Sequence, residues 1–549
     1  MRAPIRLLDL LPLGAAAWLV TQILWVWAGR LPYAYDLEWM EGGMLAHAWR
    51  LQQGLPLYVR PSADFIPYIY PPGYSSVLAA LGVGGLSPAL GRAVSIVGTL
   101  TAAALLAVGV ARQGSGRVVG LLAAACFLGC YSASGGFYDL VRPDGLYMAL
   151  VAGAVVAGLE RSRGAPVAAG LLLAAAFSVK HNAAIFGFPL LFGILARDGV
   201  RGAVQFVLAS AVPAGLLTLG LQVRTDGLFL TYLLGVPGSH PTVFDRILPG
   251  VPAELMRTLP VPMALGGLWI VSRTRSIAPQ LHDAALWLPP AVGAVLAAAI
   301  GLQLAAPRGV ETDRVSIAIG FAVVGAAIVA VGVQAVVLVR ARHASWRWVF
   351  GVGVATTALV SAALMRGHFG GFLNVYIPLH WVACFGLGIA AGRMRHTGGA
   401  AAVAFTALAF TAQLVFLDQR DDRSRLVPTE ADVAAGDEVV RALAESCEGE
   451  VWSPYAVWLP TYAGFAPHGH LIALWDVNHE TGPLYADLSE LRSDVADGWF
   501  GCIVEGGRTK LKQGVQDNYR TIRRLPLRGN SLTPKTGWRV RPTLLLGPK

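Results

Sequence analysis

The sequence is short of charge. Only 14% of its 549 residues are Asp, Glu, Lys or Arg, against 55% hydrophobic ones, whereas a soluble chain carries roughly 25% charged residues. The mean hydropathy is +0.56. The deficit runs through most of the chain, which excludes a soluble enzyme on a single anchor and predicts many membrane spans. Cysteine is also scarce: there are five, with no C-x-x-C pair to suggest a structural metal. No internal repeat appears, and no low-complexity stretch beyond Ala/Gly-rich apolar segments. The excess of basic over acidic residues, +10, does not mark a nucleic-acid binder. Twelve of the arginines come in pairs between apolar segments: Arg112/Arg117, Arg161/Arg163, Arg197/Arg201, Arg273/Arg275, Arg340/Arg342 and Arg393/Arg395. Short loops of that kind mark the cytoplasmic side of a membrane protein.

Candidate spans occur at 11–29, 88–111, 118–136, 143–160, 165–180, 183–197, 203–223, 254–272, 283–304, 315–340, 347–365, 371–391 and 399–417, the two near 165–197 being short, and together they predict about 13 transmembrane helices. With the N-terminus cytoplasmic, every arginine pair falls inside. The first run, Leu11 to Gly29, has no A-x-A-like exit and reads as an uncleaved helix. The same topology sends 30–87, the turn at 137–145, the loop at 224–253 and the tail from Asp418 outward. Within 30–87 the stretch Tyr74–Leu86, which follows Pro71-Pro72, is expected to lie at the interface. Thus residues 1–417 form an all-α polytopic membrane domain, and residues 418–549 a small extracytoplasmic α/β or α+β domain. That tail has a helical stretch, Glu430–Glu445, strand-like runs at Cys502-Ile503-Val504 and Leu544-Leu545-Leu546, and two cysteines, Cys447 and Cys502, able to pair in an oxidising compartment.

Four features at the outer face carry chemistry. The first loop holds Asp36, Glu38 and Glu41 directly after the first helix. Carboxylates there are costly to desolvate unless partnered or used, the alternative being a solvated acidic loop. The second loop holds Arg142-Pro143-Asp144, with Asp144 near the positive end of the next helix. Helix capping is the plainer account of it. Lys180-His181-Asn182 lies between two short apolar segments, where a cation suits a lipid phosphate or simply snorkels. Last comes Arg366-Gly-His368-Phe-Gly-Gly-Phe-Leu-Asn374, a Gly-rich turn with two polar handles. In the tail, His468, His470, His479 and Glu480 have no standard metal spacing, and Trp452, Tyr455, Trp458 and Tyr462 suit either a core or a carbohydrate surface.

In order and spacing, "DLEWMEGG", "YPPGY", "GRAVSIVGTL", "LVRPDGL" and "SVKHNAAIFGFP" resemble the GT-C superfamily of polytopic glycosyltransferases. The branch most resembled is that of the lipid A aminoarabinose transferases and protein O-mannosyltransferases. The resemblance covers roughly residues 10–200, and more loosely runs to 420. It implies a bacterial inner-membrane enzyme moving a sugar from a polyprenyl-phosphate donor to a hydroxyl of a lipid, glycan or protein acceptor, with inversion. By the same match, Asp144 and Lys180 take the family's second-loop Asp and the Lys opening its short helix pair. The base is a first-loop carboxylate, Glu41, Asp36 or Glu38. Where the family often has Lys before the Pro-Pro pair this chain has Tyr70, so Arg142 and Lys180 are left to hold the phosphate, with His181, His368 and Asn374 near the substrate. No cofactor is obligatory, and a divalent cation is left open. A flippase for a lipid-linked saccharide, or a non-catalytic scaffold, are the other readings. The first predicts repeats and midplane charges, which the sequence lacks.

Overall fold

The computed structural model describes residues 7–264, 345–420, 422–506 and 514–549. The chain begins with a long apolar helix, α1 (Leu10–Arg30), followed by two short helices in the first loop, α2 (Glu41–Gln52) and α3 (Gly73–Leu81). Then come α4 (Pro88–Val110), α5 (Arg117–Gly129), α6 (Asp144–Leu159), α7 (Ala165–Val179) and α8 (Gly187–Arg224). After a region of short helical turns and α9 (Gly250–Thr258), the described chain resumes with α10 (Trp346–Gly367), α11 (Ile377–Thr397) and α12 (Gly399–Gln419). Among the described residues, six helical segments are long and apolar enough to cross a membrane, and four shorter apolar ones accompany them. The expected count of about 13 is therefore not reproduced; the spans at 283–304 and 315–340 and the end of 254–272, from 265 on, lie outside the described residues.

Several helix ends differ from those the hydropathy predicts. The segment 203–223 continues from 183–197 as α8, interrupted only at Gly199 (φ +73°). The helix expected from 371 begins at Ile377, where Pro378 fits the first turn, after a 3-10 turn over Leu373–Tyr376. The expected span 118–136 stops at Gly129 and passes through turns, with Gly135 and Gly136 both at positive φ. At 254–272 the helix breaks at Leu259, because Pro260 disfavours the α conformation in the residue before it. The α3 helix has nine residues, far fewer than the ~20 a span needs.

Helix α4 packs against α6 at a crossing of small residues. A Cβ on Gly98 would lie 2.5 Å from the backbone carbon of Gly145, so the two backbones touch, as at close crossings in membranes. That contact brings the start of α6, and with it Asp144, against the first loop.

Residues 430–549 form a mixed four-stranded sheet flanked by helices, in the order β1 (Glu450–Trp452), β2 (Phe500–Gly506), β4 (Pro542–Pro548), β3 (Tyr519–Arg524). β1 and β2 run parallel; β4 is antiparallel to both β2 and β3. The two strand-like runs of the sequence meet here, Ile503 opposite Leu546 and Val504 opposite Leu545. The leading helix α13 (Glu430–Ser446) opens on a Thr429/Asp432 capping box. Cys447, just beyond its end, is disulfide-bonded to Cys502 in β2. This domain grips the first loop: Trp39 sits among His470, Trp475 and Trp538, with ring centroids 4.8, 5.8 and 4.8 Å away.

Candidate active site

The first loop is held by one arginine. Arg92, in the second turn of α4, is fully buried. Its Nε and Nη2 donate to Glu41 at 3.0 and 2.7 Å. Nη2 also donates to the carbonyl of Tyr35 at 2.7 Å, and Nη1 to those of Arg30 and Tyr33. Glu41 further accepts the backbone N–H of Leu37 at 2.6 Å and of Val141 at 2.8 Å. Burial alone would raise its carboxyl, but the Arg92 charge and these bonds outweigh that and hold it below the usual range. Four donors on two oxygens leave Glu41 a structural clamp joining both loops. Arg30 and Asp139 form a second buried pair beside it, 2.7 Å apart.

Glu38 stands in contrast. It is 2% exposed, yet among the described residues it accepts only a 3.3 Å bond from the Met40 N–H on Oε2 and lies 3.6 Å from Arg142. Burial pushes its carboxyl up to about 7, against the opposing charge of Arg142. Asp36 is half-buried in a cleft between the first loop and the C-terminal domain, with Tyr455, Trp458 and Tyr462. Desolvation in that cleft, reinforced by the Glu41 charge, pushes its carboxyl well above the carboxylate range.

Arg142 links the acidic loop to the rest. Its Nη2 donates to the Tyr70 hydroxyl at 3.2 Å, and its Nη1 lies 2.8 Å from Met40 Sδ. Two residues on, Asp144 receives Lys180 Nζ at 2.8 Å, and the Asn374 amide donates to both its oxygens at 3.0 and 3.1 Å. All three side chains are buried. Residues from three sequence-distant segments thus meet as Asp144–Lys180–Asn374, next to Arg142, Tyr70 and Glu38. His181 heads the 3-10 turn after α7, and its Nδ1 has no hydrogen-bond partner among the described residues. Beside this group, Tyr68, Tyr70, Tyr74, Pro71, Pro72 and Pro143 line an aromatic cavity.

His368 does not hydrogen-bond the Asp144 group. Its Nε2 lies 2.8 Å from Nδ1 of His240, whose Nε2 lies 2.7 Å from the Asp476 carbonyl in the C-terminal domain. The Gly370 N–H donates to His368 Nδ1 at 3.3 Å. These partners fit two neutral rings, each protonated on Nε2, and burial lowers both pKa values, that of His368 to about 4. The tail histidines are dispersed: His468 pairs with Glu450, His470 with the Trp39 carbonyl, and His479 packs on His240. No group of three or more His, Cys, Asp or Glu able to hold a metal occurs among the described residues.

Among solved structures, the chain is similar to ArnT from Cupriavidus metallidurans. The crystal structure bound to undecaprenyl phosphate matches at 14% identity and a TM-score of 0.46, covering 97% of this chain and 98% of that one. The apo crystal structure matches at 15% identity and a TM-score of 0.44, covering 97% of each. No protein-family model and no curated protein matches the sequence.

The residues that spacing alone does not reveal are Arg92, Arg30 and His240. Arg92 carries a signal all the same: an arginine one turn inside an apolar helix demands a partner, and it sits in the quoted "GRAVSIVGTL".

Proposed function

We propose that the protein is a membrane glycosyltransferase that transfers a sugar from a polyprenyl-phosphate donor to an acceptor hydroxyl at the extracytoplasmic face, with Glu38 as its base. The observation that carries this reading is the pairing of a buried, under-donated carboxylate near neutrality with cations from two other segments. Glu38 is such a carboxylate, with Arg142 beside it and Lys180 on the adjoining Asp144. A general base works best with a pKa near the ambient pH. The acceptor oxygen attacks the anomeric carbon as Glu38 takes its proton. The anomeric C–O bond breaks, and the electron pair leaves with the polyprenyl phosphate, its charge met by Arg142, the Tyr70 hydroxyl and Lys180. Direct displacement inverts the anomeric centre. Glu41 is assigned to the scaffold, since its oxygens are already occupied. The outward placement of the site is supported by the arginine pairs and by the Cys447–Cys502 disulfide.

The test is release of free polyprenyl phosphate from a panel of polyprenyl-phosphate sugars by the protein in lipid nanodiscs, beside Glu38→Gln. Release by the wild type and its loss in the variant are expected. No release from any donor, with labelled lipid instead moving between leaflets, would make the protein a flippase.

A further inference from the structure

The residues Thr533–Trp538 of the C-terminal domain cross the first loop directly over Glu38. The backbone N–H groups of Lys535 and Thr536 donate to the Leu37 carbonyl at 2.8 and 3.1 Å, and Thr536 forms a parallel bridge with Glu38. The Thr536 hydroxyl donates to the Gly135 carbonyl in the second loop. Lys535 is tied back to Asp432 of α13 at 2.7 Å. Trp538 wedges against Trp39, Trp475 and Tyr455. A segment fixed to both catalytic loops and to its own domain is a built wall.

At the centre of that wall is Gly537, at φ +71°. A Cβ there would lie 2.8 Å from Glu38 Oε1 and 2.9 Å from its Cγ. Oε1 accepts no hydrogen bond from the described residues, whereas Oε2 holds the Met40 N–H and faces Arg142. The wall therefore touches the free oxygen without donating to it.

We infer that the strap Thr533–Trp538 closes the catalytic pocket and that Gly537 is a positioning residue, its missing side chain leaving Glu38 Oε1 in place to take the acceptor's proton. This rests on the transferase reading above. The C-terminal domain thereby becomes part of the active site.

The test compares Gly537→Ala with Gly529→Ala in nanodiscs. Gly529 has the same left-handed backbone (φ +53°) but nothing within 4 Å of an added Cβ, so it carries the backbone cost without touching Glu38. We expect Gly537→Ala to lower kcat at least tenfold, leave the donor KM within twofold, and move the acid limb of the pH–rate profile. Gly529→Ala leaves all three unchanged. The double variant Glu38→Asp/Gly537→Ala, with a carboxylate shorter by one methylene, should lose less than the product of the two single losses. A Gly537→Ala enzyme matching Gly529→Ala, or strictly multiplicative losses, would overturn the inference. If Gly537→Ala fails to accumulate, Thr536→Val carries the same comparison: its kcat and acid limb should change, and an unchanged profile would overturn the inference. A wild type that releases no polyprenyl phosphate refutes the transferase reading instead, so the two failures are told apart.

Discussion

Glu41→Gln and Glu38→Gln, three residues apart, should fail in opposite ways. At Glu41 the amide keeps the shape of the side chain but removes the counter-ion of a fully buried arginine. It also turns an NH2 group toward donors: four now converge on Glu41, two from Arg92 and one each from Leu37 and Val141. Removing one partner of such a pair costs about 3–5 kcal/mol, a large part of the ~5–15 kcal/mol that keeps a protein folded. In a chain of 549 residues, with an unfolding entropy of ~2.1 cal/mol/K per residue, that is a fall in melting temperature of about 3–4 °C. At Glu38 the amide still offers a carbonyl to the Met40 N–H and weakens only a 3.6 Å ionic contact to Arg142, which keeps its bond to Tyr70, roughly 1–2 kcal/mol, while a lost general base costs about 10²–10⁴ in rate. Thermal unfolding in nanodiscs, followed by intrinsic fluorescence, separates these from donor turnover measured well below both transitions. Glu41→Gln should melt early yet turn over when folded; Glu38→Gln should melt near the wild type and be inactive. A Glu41→Gln protein that melts normally and is dead, beside an active Glu38→Gln, would refute the assignment and make Glu41 the base.

Three further outcomes follow from the geometry. With Glu38 near 7 and required deprotonated, kcat/KM should rise with pH through about 7, and a profile flat from pH 5.5 to 8.5 would count against it. Asp144→Asn leaves Lys180 buried without a counter-ion, at a cost of about 3–5 kcal/mol. Asp144→Asn/Lys180→Met should recover most of the melting temperature but not the activity; recovery of both would place the pair in the scaffold alone. The His240–His368 contact should weaken in acid. His368 is held neutral down to about 4, against ~6.5 when unfolded, so its stabilisation is full above about 6.5 and drains away toward 4. Melting temperature should therefore fall less steeply over that window in His368→Phe than in the wild type, and equal slopes would sink the idea.

Much of this molecule can be read from its residues. Hydropathy locates most of the described long helices to within a few residues, and the paired runs Cys502-Ile503-Val504 and Leu544-Leu545-Leu546 do become neighbouring strands. Asp144, Lys180 and Asn374, picked out by residue type between apolar segments, meet. The weight spacing gives Glu41 is less telling. Nothing near it announces that an arginine 51 residues on takes up both its oxygens, and a saturated carboxylate looks the same in sequence as a free one. His368 likewise carries no mark that its partner is His240. The strap is the least legible part: Lys535-Thr536-Gly537 is an ordinary turn-like string, and its meaning comes from pairing with Leu37 at the far end of the sequence.

That pairing bears on how the protein is made. Every described membrane helix precedes the strap in the chain, so a ribosome has delivered the loops that hold Glu38 and Arg142 to the membrane before it begins Thr533. On the transferase reading, until the tail has docked against Leu37, Glu38 lacks the wall that holds its proton-accepting oxygen in place. On that reading a half-made chain is idle toward its donor while synthesis is under way.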